Sequence, residues 1–224
     1  MSRSGEILAE LRQVVFNNQR WLDSVLPPLI FVLINAVFGL GIALISALVA
    51  ASLIAFYRIV LQQPWRNALG GIAAVLFAGL VAKLVGGAEG YFLPGILSGV
   101  LTVLISLVSI ILKKPLVAWT SFLTRRWPLP WYWHPKVRPA YSEVTFVWAL
   151  FFALRTFFQY ALFQRQSVGA LGIVQLLTGW PALILLLVAS YLYGTWRLKK
   201  LGGPSVDEFI AGQPPPWKGQ QRGF

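Results

Sequence analysis

The chain has 224 residues, of which 57% are apolar and only 12% are charged, whereas a soluble domain carries about 25% charged residues. So few charged residues cannot cover the surface of a water-soluble globule. The apolar residues also fall in long runs, so we expect the protein to lie in a lipid bilayer. The net charge of +12 would suit a nucleic-acid partner, but basic loops of a membrane protein explain it better, and we expect no nucleic acid.

Residues 1–20 are predicted to be an amphipathic N-terminal segment on the cytoplasmic side, with a helix over Ile7–Phe16. Ile7, Leu8 and Leu11 share one helical face, so the segment either lies on the membrane surface or packs on another protein. Charges run through the segment without a continuous apolar core, and we therefore expect no cleavable signal peptide.

Six apolar segments follow and predict an all-α, polytopic transmembrane helical bundle of about six spans within residues 21–200. They are Ser24–Phe38, Ile42–Leu61, Ala68–Val85, Leu93–Leu112, Tyr141–Phe163 and about Thr178–Trp196. Gly39-Leu40-Gly41 is predicted to be a tight turn between the first two. Residues 164–180 are apolar but short, and are either a re-entrant segment or the early part of a broken sixth span.

Two further segments lie outside the spans. Leu116–Leu123 is predicted to be a short interfacial helix, followed by a loop rich in Pro and Trp whose rings suit the headgroup layer. Residues 201–224 show no periodicity and are predicted to be a disordered cytoplasmic tail.

The distribution of basic residues orients the spans. With six crossings, 16 of the 19 Lys and Arg residues fall on one side, Lys83 and Arg165 fall on the other, and Arg155 lies inside a span. The basic side is the cytoplasm by the positive-inside rule. We therefore expect a multi-pass membrane protein with both termini in the cytoplasm.

Small residues spaced by four predict where the helices pack, because close backbone approach drives association in lipid. Segments two, three and four carry such stripes and are expected to pack around one another. The stripes contain Ala47 and Ala51, then Gly70 and Ala74, then Gly95 and Gly99.

The residues of catalytic and metal sites are scarce. The chain has no cysteine, one histidine (His134) and seven acidic residues, none of which falls at mid-membrane. GGAEG at 86–90 lacks the Lys-Ser/Thr of a Walker motif. We therefore expect no enzyme activity, no cofactor and no metal.

Arg155 is the most informative side chain because a charge inside a span is costly. It lies about 21 Å deep from the basic side and about 12 Å from the other end of its span. Three interpretations are open: it snorkels or caps carbonyls, it pairs with Glu89, or it forms an anion or lipid-headgroup site with Gln159 and Arg165.

Several motifs resemble an integral membrane family of unknown function known mostly from actinobacteria. They are DSVLP (23–27), RNALGG (66–71), YFLPG (91–95), KKPL (113–116), ALR (153–155), ALG (170–172) and GWP (179–181). The chain is more distantly similar to the intracellular septation protein A group. The resemblance covers about residues 20–200 and implies a bacterial inner-membrane protein, with a link to envelope maintenance from the distant group.

Two functions are therefore carried forward. The favoured one is a membrane scaffold or envelope-associated factor that acts on lipid, a membrane protein partner or a second copy of itself. The alternative is a small carrier or lipid-handling protein with its anion site at Arg155.

Overall fold

The computed structural model describes residues 20–62, 65–220 and 222–224, with side chains described throughout those ranges except in 20–24 and 65–68. About 80% of the chain is helical and the described ranges contain no strand, which confirms the all-α class. The predicted amphipathic helix Ile7–Phe16 lies outside the described residues.

Nine α-helices and one 3₁₀ segment make up the described part of the chain. They are α1 (Arg20–Val60), α2 (Trp65–Val85), the 3₁₀ segment (Ala88–Phe92), α3 (Leu93–Ile111), α4 (Leu116–Arg125), α5 (Leu129–Tyr132), α6 (Arg138–Gln164), α7 (Val168–Leu177), α8 (Trp180–Leu201) and α9 (Val206–Ile210). All six predicted apolar segments are helical.

Four stretches are long and apolar enough to cross a membrane. They are Val25–Val60, Ala88–Ile111, Arg138–Gln164 and Val168–Leu201, while Leu69–Val85 is apolar but shorter. The predicted number of six spans is reached if the two legs of α1 cross the membrane separately and the shorter α2 crosses as well. The disputed stretch 164–180 contains α7, a helix of its own that ends three residues before α8 begins.

Gly39 breaks α1 into two legs. Its φ of 78° and ψ of 177° lie in a region that only glycine enters without strain. The break falls within the predicted turn, but Gly39 alone leaves the helical conformation, whereas Leu40 and Gly41 stay helical. Pro27 and Pro28 lie within the first leg, near its start.

The chain divides into two compact units, which are described separately. Unit 1 takes in the chain up to Ser98 together with Arg155–Ile184, and unit 2 takes in Gly99–Leu154 and Leu185–Phe224.

An alanine seam forms the core of unit 1, where α1 packs against α2 and α7. Ala47 and Ala51 are buried in it, as predicted, so small side chains do bring these backbones together. Phe31 closes one end of the core by stacking on Tyr91 at a centroid distance of 4.1 Å. At Gly172 an added Cβ would lie 2.6 Å from the Val32 side chain, so α7 depends on a glycine there to approach α1.

The predicted stripe on α2 is only half correct. Gly70 and Ala74 are exposed, whereas Ala78 and Ala82 are buried. The stripe on α1 has the same spacing and is buried from Ala43 to Ala55, so the spacing alone does not decide which part of a stripe is covered. The buried face of α2 instead follows helical spacing and includes Val75.

The small residues of α3 contact different neighbours from those predicted. Gly95 is exposed, and its nearest neighbour is the Gln175 side chain of α7, 3.9 Å from an added Cβ. Gly99 is buried. Ser106 and Ser109 donate hydrogen bonds to carbonyls of their own helix.

Aromatic rings form the core of unit 2, and most of them come from the loop rich in Pro and Trp. Trp131, Tyr132 and Tyr141 are completely buried and pack edge to face, at centroid distances of 5.1 to 6.2 Å. The loop was predicted to supply interfacial rings, but Trp127 and Trp131 instead point into a protein core.

The tail packs on this core in place of the predicted disorder. Phe224 stacks on Tyr141 at 4.2 Å, and the Trp131 indole donates a hydrogen bond of 2.9 Å to the Pro204 carbonyl. A Cβ at Gly194 would collide with the Phe224 ring. The tail escapes prediction because its apolar residues are buried one at a time, without the spacing of a helix.

Glu208 caps the start of α9, and its charge should make the stability of the folded tail depend on pH. Its carboxylate accepts backbone hydrogen bonds from Ser205 (2.8 Å) and Lys218 (2.7 Å), which lower the pKa of Glu208 to about 2. Because the pKa is lower in the folded state, the Glu208 carboxylate stabilises the folded state at any pH above 4.5, its ordinary pKa. This stability is lost as the pH falls towards 2. We expect Glu208→Gln to lower the thermal midpoint at neutral pH.

The difference in thermal midpoint between wild type and Glu208→Gln should stay constant above about pH 4.5 and disappear by about pH 2. Asp207→Asn is the control, since its ion pair with Arg222 is exposed and contributes little. A gap that did not change with pH would show that the Glu208 charge has no role in docking the tail.

Candidate functional site

Three polar side chains lie within five residues of one another in the part of α6 that belongs to unit 1. They are Arg155, Thr156 and Gln159. Gln159 follows Arg155 by four residues and Thr156 by three, so all three occupy one sector of the helix surface. Arg155 lies about 26 Å along the axis from Arg138 and about 14 Å from Gln164, well inside the apolar stretch.

Each of these side chains has a hydrogen-bond donor without a partner among the described residues. Gln159 is 1% exposed and its Nε2 is unpaired, and the buried Oγ1 of Thr156 is unpaired as well. Arg155 is half-buried, and the structure gives it no hydrogen bond or ion pair with a described residue. An unpaired buried polar group costs about 1–3 kcal/mol, more when it is charged.

The three groups share one chemistry, since each can donate a hydrogen bond. A guanidinium offers up to about five N–H donors, a side-chain amide two and a hydroxyl one. Donors beside a fixed positive charge suit an anion with several acceptor oxygens, such as a phosphate. The arrangement can therefore bind an anionic group.

The predicted partner Glu89 does not meet Arg155. The structure forms no ion pair between them, because the Glu89 carboxylate folds back over its own loop against Gly87. Glu89 is buried within the 3₁₀ segment.

The predicted third member, Arg165, lies apart from the other two. It is exposed just beyond the end of α6, in a turn where Gln166 has a left-handed backbone. The preceding side chain, Gln164, donates its hydrogen bond to the Tyr160 hydroxyl. Gln159 lies one helical turn from Arg155, Arg165 is exposed beyond the end of the helix, and Thr156, which the sequence analysis did not single out, is buried and directly follows Arg155 in the sequence. That the predicted residues form one site stays a prediction.

An ion pair that the sequence analysis missed lies in unit 2. Arg197 of α8 binds both carboxylate oxygens of Glu143 in α6, at 2.7 and 2.8 Å, and Tyr193 donates to the same carboxylate at 2.7 Å. The available signal was topology, because Glu143 and Arg197 fall at the cytoplasmic ends of two predicted spans. The pair is satisfied and joins two helices, so we interpret it as structural.

His134 does not belong to a metal site in the described part of the chain. No group of three His, Asp or Glu side chains there could hold an ion. The His134 ring instead packs edge-on against Trp217 at 5.4 Å, and its Nδ1 accepts the Lys136 backbone N–H. Burial, with Lys136 nearby, lowers the pKa of His134 and favours its neutral form.

Comparison with known proteins places the chain in a family. Residues 19–199 match the family described as "Protein of unknown function (DUF3159)", and the chain therefore belongs to it. Searches of curated proteins and of solved structures found no match. Membership of a family of unknown function agrees with the resemblance seen in the motifs, whereas the actinobacterial link and the likeness to the septation protein A group stay predictions.

Proposed function

We propose that this member of the DUF3159 family is a non-enzymatic membrane protein that binds an anionic lipid headgroup inside the membrane. Arg155, Thr156 and Gln159 form the site. The bound group is a phosphate or a similar anion, which accepts hydrogen bonds from all three side chains.

One observation carries the proposal: the Gln159 amide is buried with its Nε2 unpaired, one turn from the Arg155 guanidinium. A purely structural polar pair would be expected to satisfy these donors within the protein, because buried polar groups almost always have partners. Snorkelling explains the position of Arg155 but leaves the Gln159 amide unexplained.

The membrane setting rests on the four long apolar helices. We place the protein in a bacterial cytoplasmic membrane with its basic loops inside, and the distribution of Lys and Arg supports this orientation. Phosphates of the inner and outer leaflets are the anions most abundant beside such helices.

We expect Arg155→Gln to weaken binding of phosphatidylglycerol by about 10- to 100-fold, the effect of losing a charge-assisted hydrogen bond. Arg155→Lys keeps the positive charge but loses the planar guanidinium, so its affinity for phosphatidylglycerol should lie between those of wild type and Arg155→Gln. Native mass spectrometry of the detergent-solubilised protein, titrated with phosphatidylglycerol or phosphatidylcholine, measures the binding.

Arg165→Gln is the matched control, because it removes a nearby but exposed positive charge. It should leave binding within about twofold, since exposed charges are screened. Equal affinities for wild type and Arg155→Gln, at unchanged thermal midpoints, would refute the site.

The exposed rings of α6 favour a second candidate, a membrane scaffold. Phe157, Phe158 and Tyr160 lie on the surface of that helix, and a protein partner or second copy would bury them. The same experiment separates the candidates: a scaffold role predicts that Arg155→Gln disrupts association or folding and leaves lipid affinity unchanged.

A further inference from the structure

The short helix α4 has two faces of different character. Val117, Ala118 and Ser121 are buried in the aromatic core of unit 2. On the other face Trp119 is 39% exposed and Leu123 is 61% exposed. These two residues are four apart, so they stand one above the other on a helix that lies outside the long apolar stretches.

Cations stand at both ends of α4. Lys113 and Lys114 precede the helix and Arg126 follows it. Lys113 and Arg126 both have a left-handed backbone, with φ of 58° and 57°. Each lies just past the end of a helix, where glycine is the usual residue because it adopts this conformation without strain. The cationic side chains are therefore present where the backbone alone would favour glycine.

The acidic residues of unit 2 are already occupied. Glu143 binds Arg197, Asp207 binds Arg222, and Glu208 binds the backbone of the tail. The described part of unit 2 therefore offers no further side-chain carboxylate to the cations at the ends of α4, although the Arg126 guanidinium lies 5.8 Å from the centre of the Phe122 ring. The exposed charges of Lys113, Lys114 and Arg126 are open to an external anion.

The bilayer supplies that anion within reach. The apolar stretch Ala88–Ile111 ends two residues before Lys113, so a chain that crosses the membrane there emerges into the phosphate layer at this point. Leu112, between them, is exposed as well.

We propose that α4 is an interfacial docking helix for an anionic phospholipid leaflet. Trp119 and Leu123 enter the boundary between headgroups and acyl chains, about 5–10 Å deep. Lys113, Lys114 and Arg126 bind lipid phosphates. An acidic protein partner is the competing occupant of this surface, and the experiment below distinguishes it from the lipid. The surface is independent of the Arg155 site, which lies in unit 1.

The chain has no cysteine, so Leu123→Cys gives a single site for a nitroxide label. The protein is reconstituted in nanodiscs of phosphatidylcholine alone or with added phosphatidylglycerol. We expect the label to be accessible to oxygen and shielded from a water-soluble nickel complex, and to move deeper with phosphatidylglycerol. Gln213→Cys, in the exposed part of the tail, should report an aqueous site in both lipids.

Adding Lys113→Gly and Arg126→Gly to the labelled protein separates charge from fold. These changes remove two charges and relieve two left-handed positions, so the thermal midpoint should hold or rise while the dependence on phosphatidylglycerol is lost. A label that stays aqueous in both lipids would overturn the proposal. So would a label depth that responds to soluble polyglutamate and ignores phosphatidylglycerol, which would identify an acidic protein partner instead.

Discussion

Trp131→Ala is expected to lower the free energy of unfolding by about 3–5 kcal/mol, the usual cost of emptying a buried tryptophan site. Trp131 is 0% exposed and packs edge to face on Tyr132 and Tyr141. Its indole also donates to the Pro204 carbonyl, so the substitution leaves a buried acceptor unpaired. Denaturant unfolding in detergent micelles, followed by tryptophan fluorescence, measures the loss.

Trp196→Ala is the matched control, because that ring is 53% exposed. It should change the free energy of unfolding by no more than about 0.5 kcal/mol, as surface substitutions usually do. If both variants had the same free energy of unfolding as wild type, the aromatic cluster would not be the core of unit 2.

Ala47→Leu is expected to destabilise the protein by about 1–3 kcal/mol through overpacking. Ala47 is 0% exposed in the seam between α1 and α2. The helices are close along this seam, since a Cβ at Gly79 would lie 3.2 Å from the Leu44 side chain. Lipid offers no hydrophobic compensation for helices forced apart, because its tails are as apolar as leucine.

The comparison variant is Val49→Leu, on the same leg of α1 but 52% exposed. Val49→Leu adds a methylene group on the exposed side of α1 and should leave the free energy of unfolding nearly unchanged. Equal unfolding free energies for the two variants would contradict the packing of α1 on α2.

The sequence was sufficient wherever one strong physical constraint acts locally. Apolar length predicted every long helix, and glycine predicted the break at Gly39, where the backbone takes a conformation that other residues avoid. The cost of charge in lipid also singled out Arg155, whose role with Gln159 stays a prediction. Each of these predictions follows from a single segment without knowledge of its neighbours.

The sequence failed where the outcome depends on which segments meet. Glu89 was the predicted partner of Arg155, yet its carboxylate turns back over Gly87. The Glu143–Arg197 pair joins two helices separated by a long stretch of chain, and no local pattern marks it. The aromatic core of unit 2 comes from an irregular loop and the tail, where burial has no periodicity.

The orientation of the helices in the membrane is the central claim, since both proposed lipid sites depend on it. Two single-cysteine variants test it, Arg165→Cys and Gln213→Cys, each at an exposed position of a chain that has no other cysteine. Intact bacterial cells expressing each variant are treated with a membrane-impermeant maleimide, before and after permeabilisation. We predict that residue 165 is labelled in intact cells and that residue 213 is labelled only after permeabilisation. Labelling of residue 213 in intact cells, or recovery of the unlabelled protein in the soluble fraction without detergent, would contradict the account.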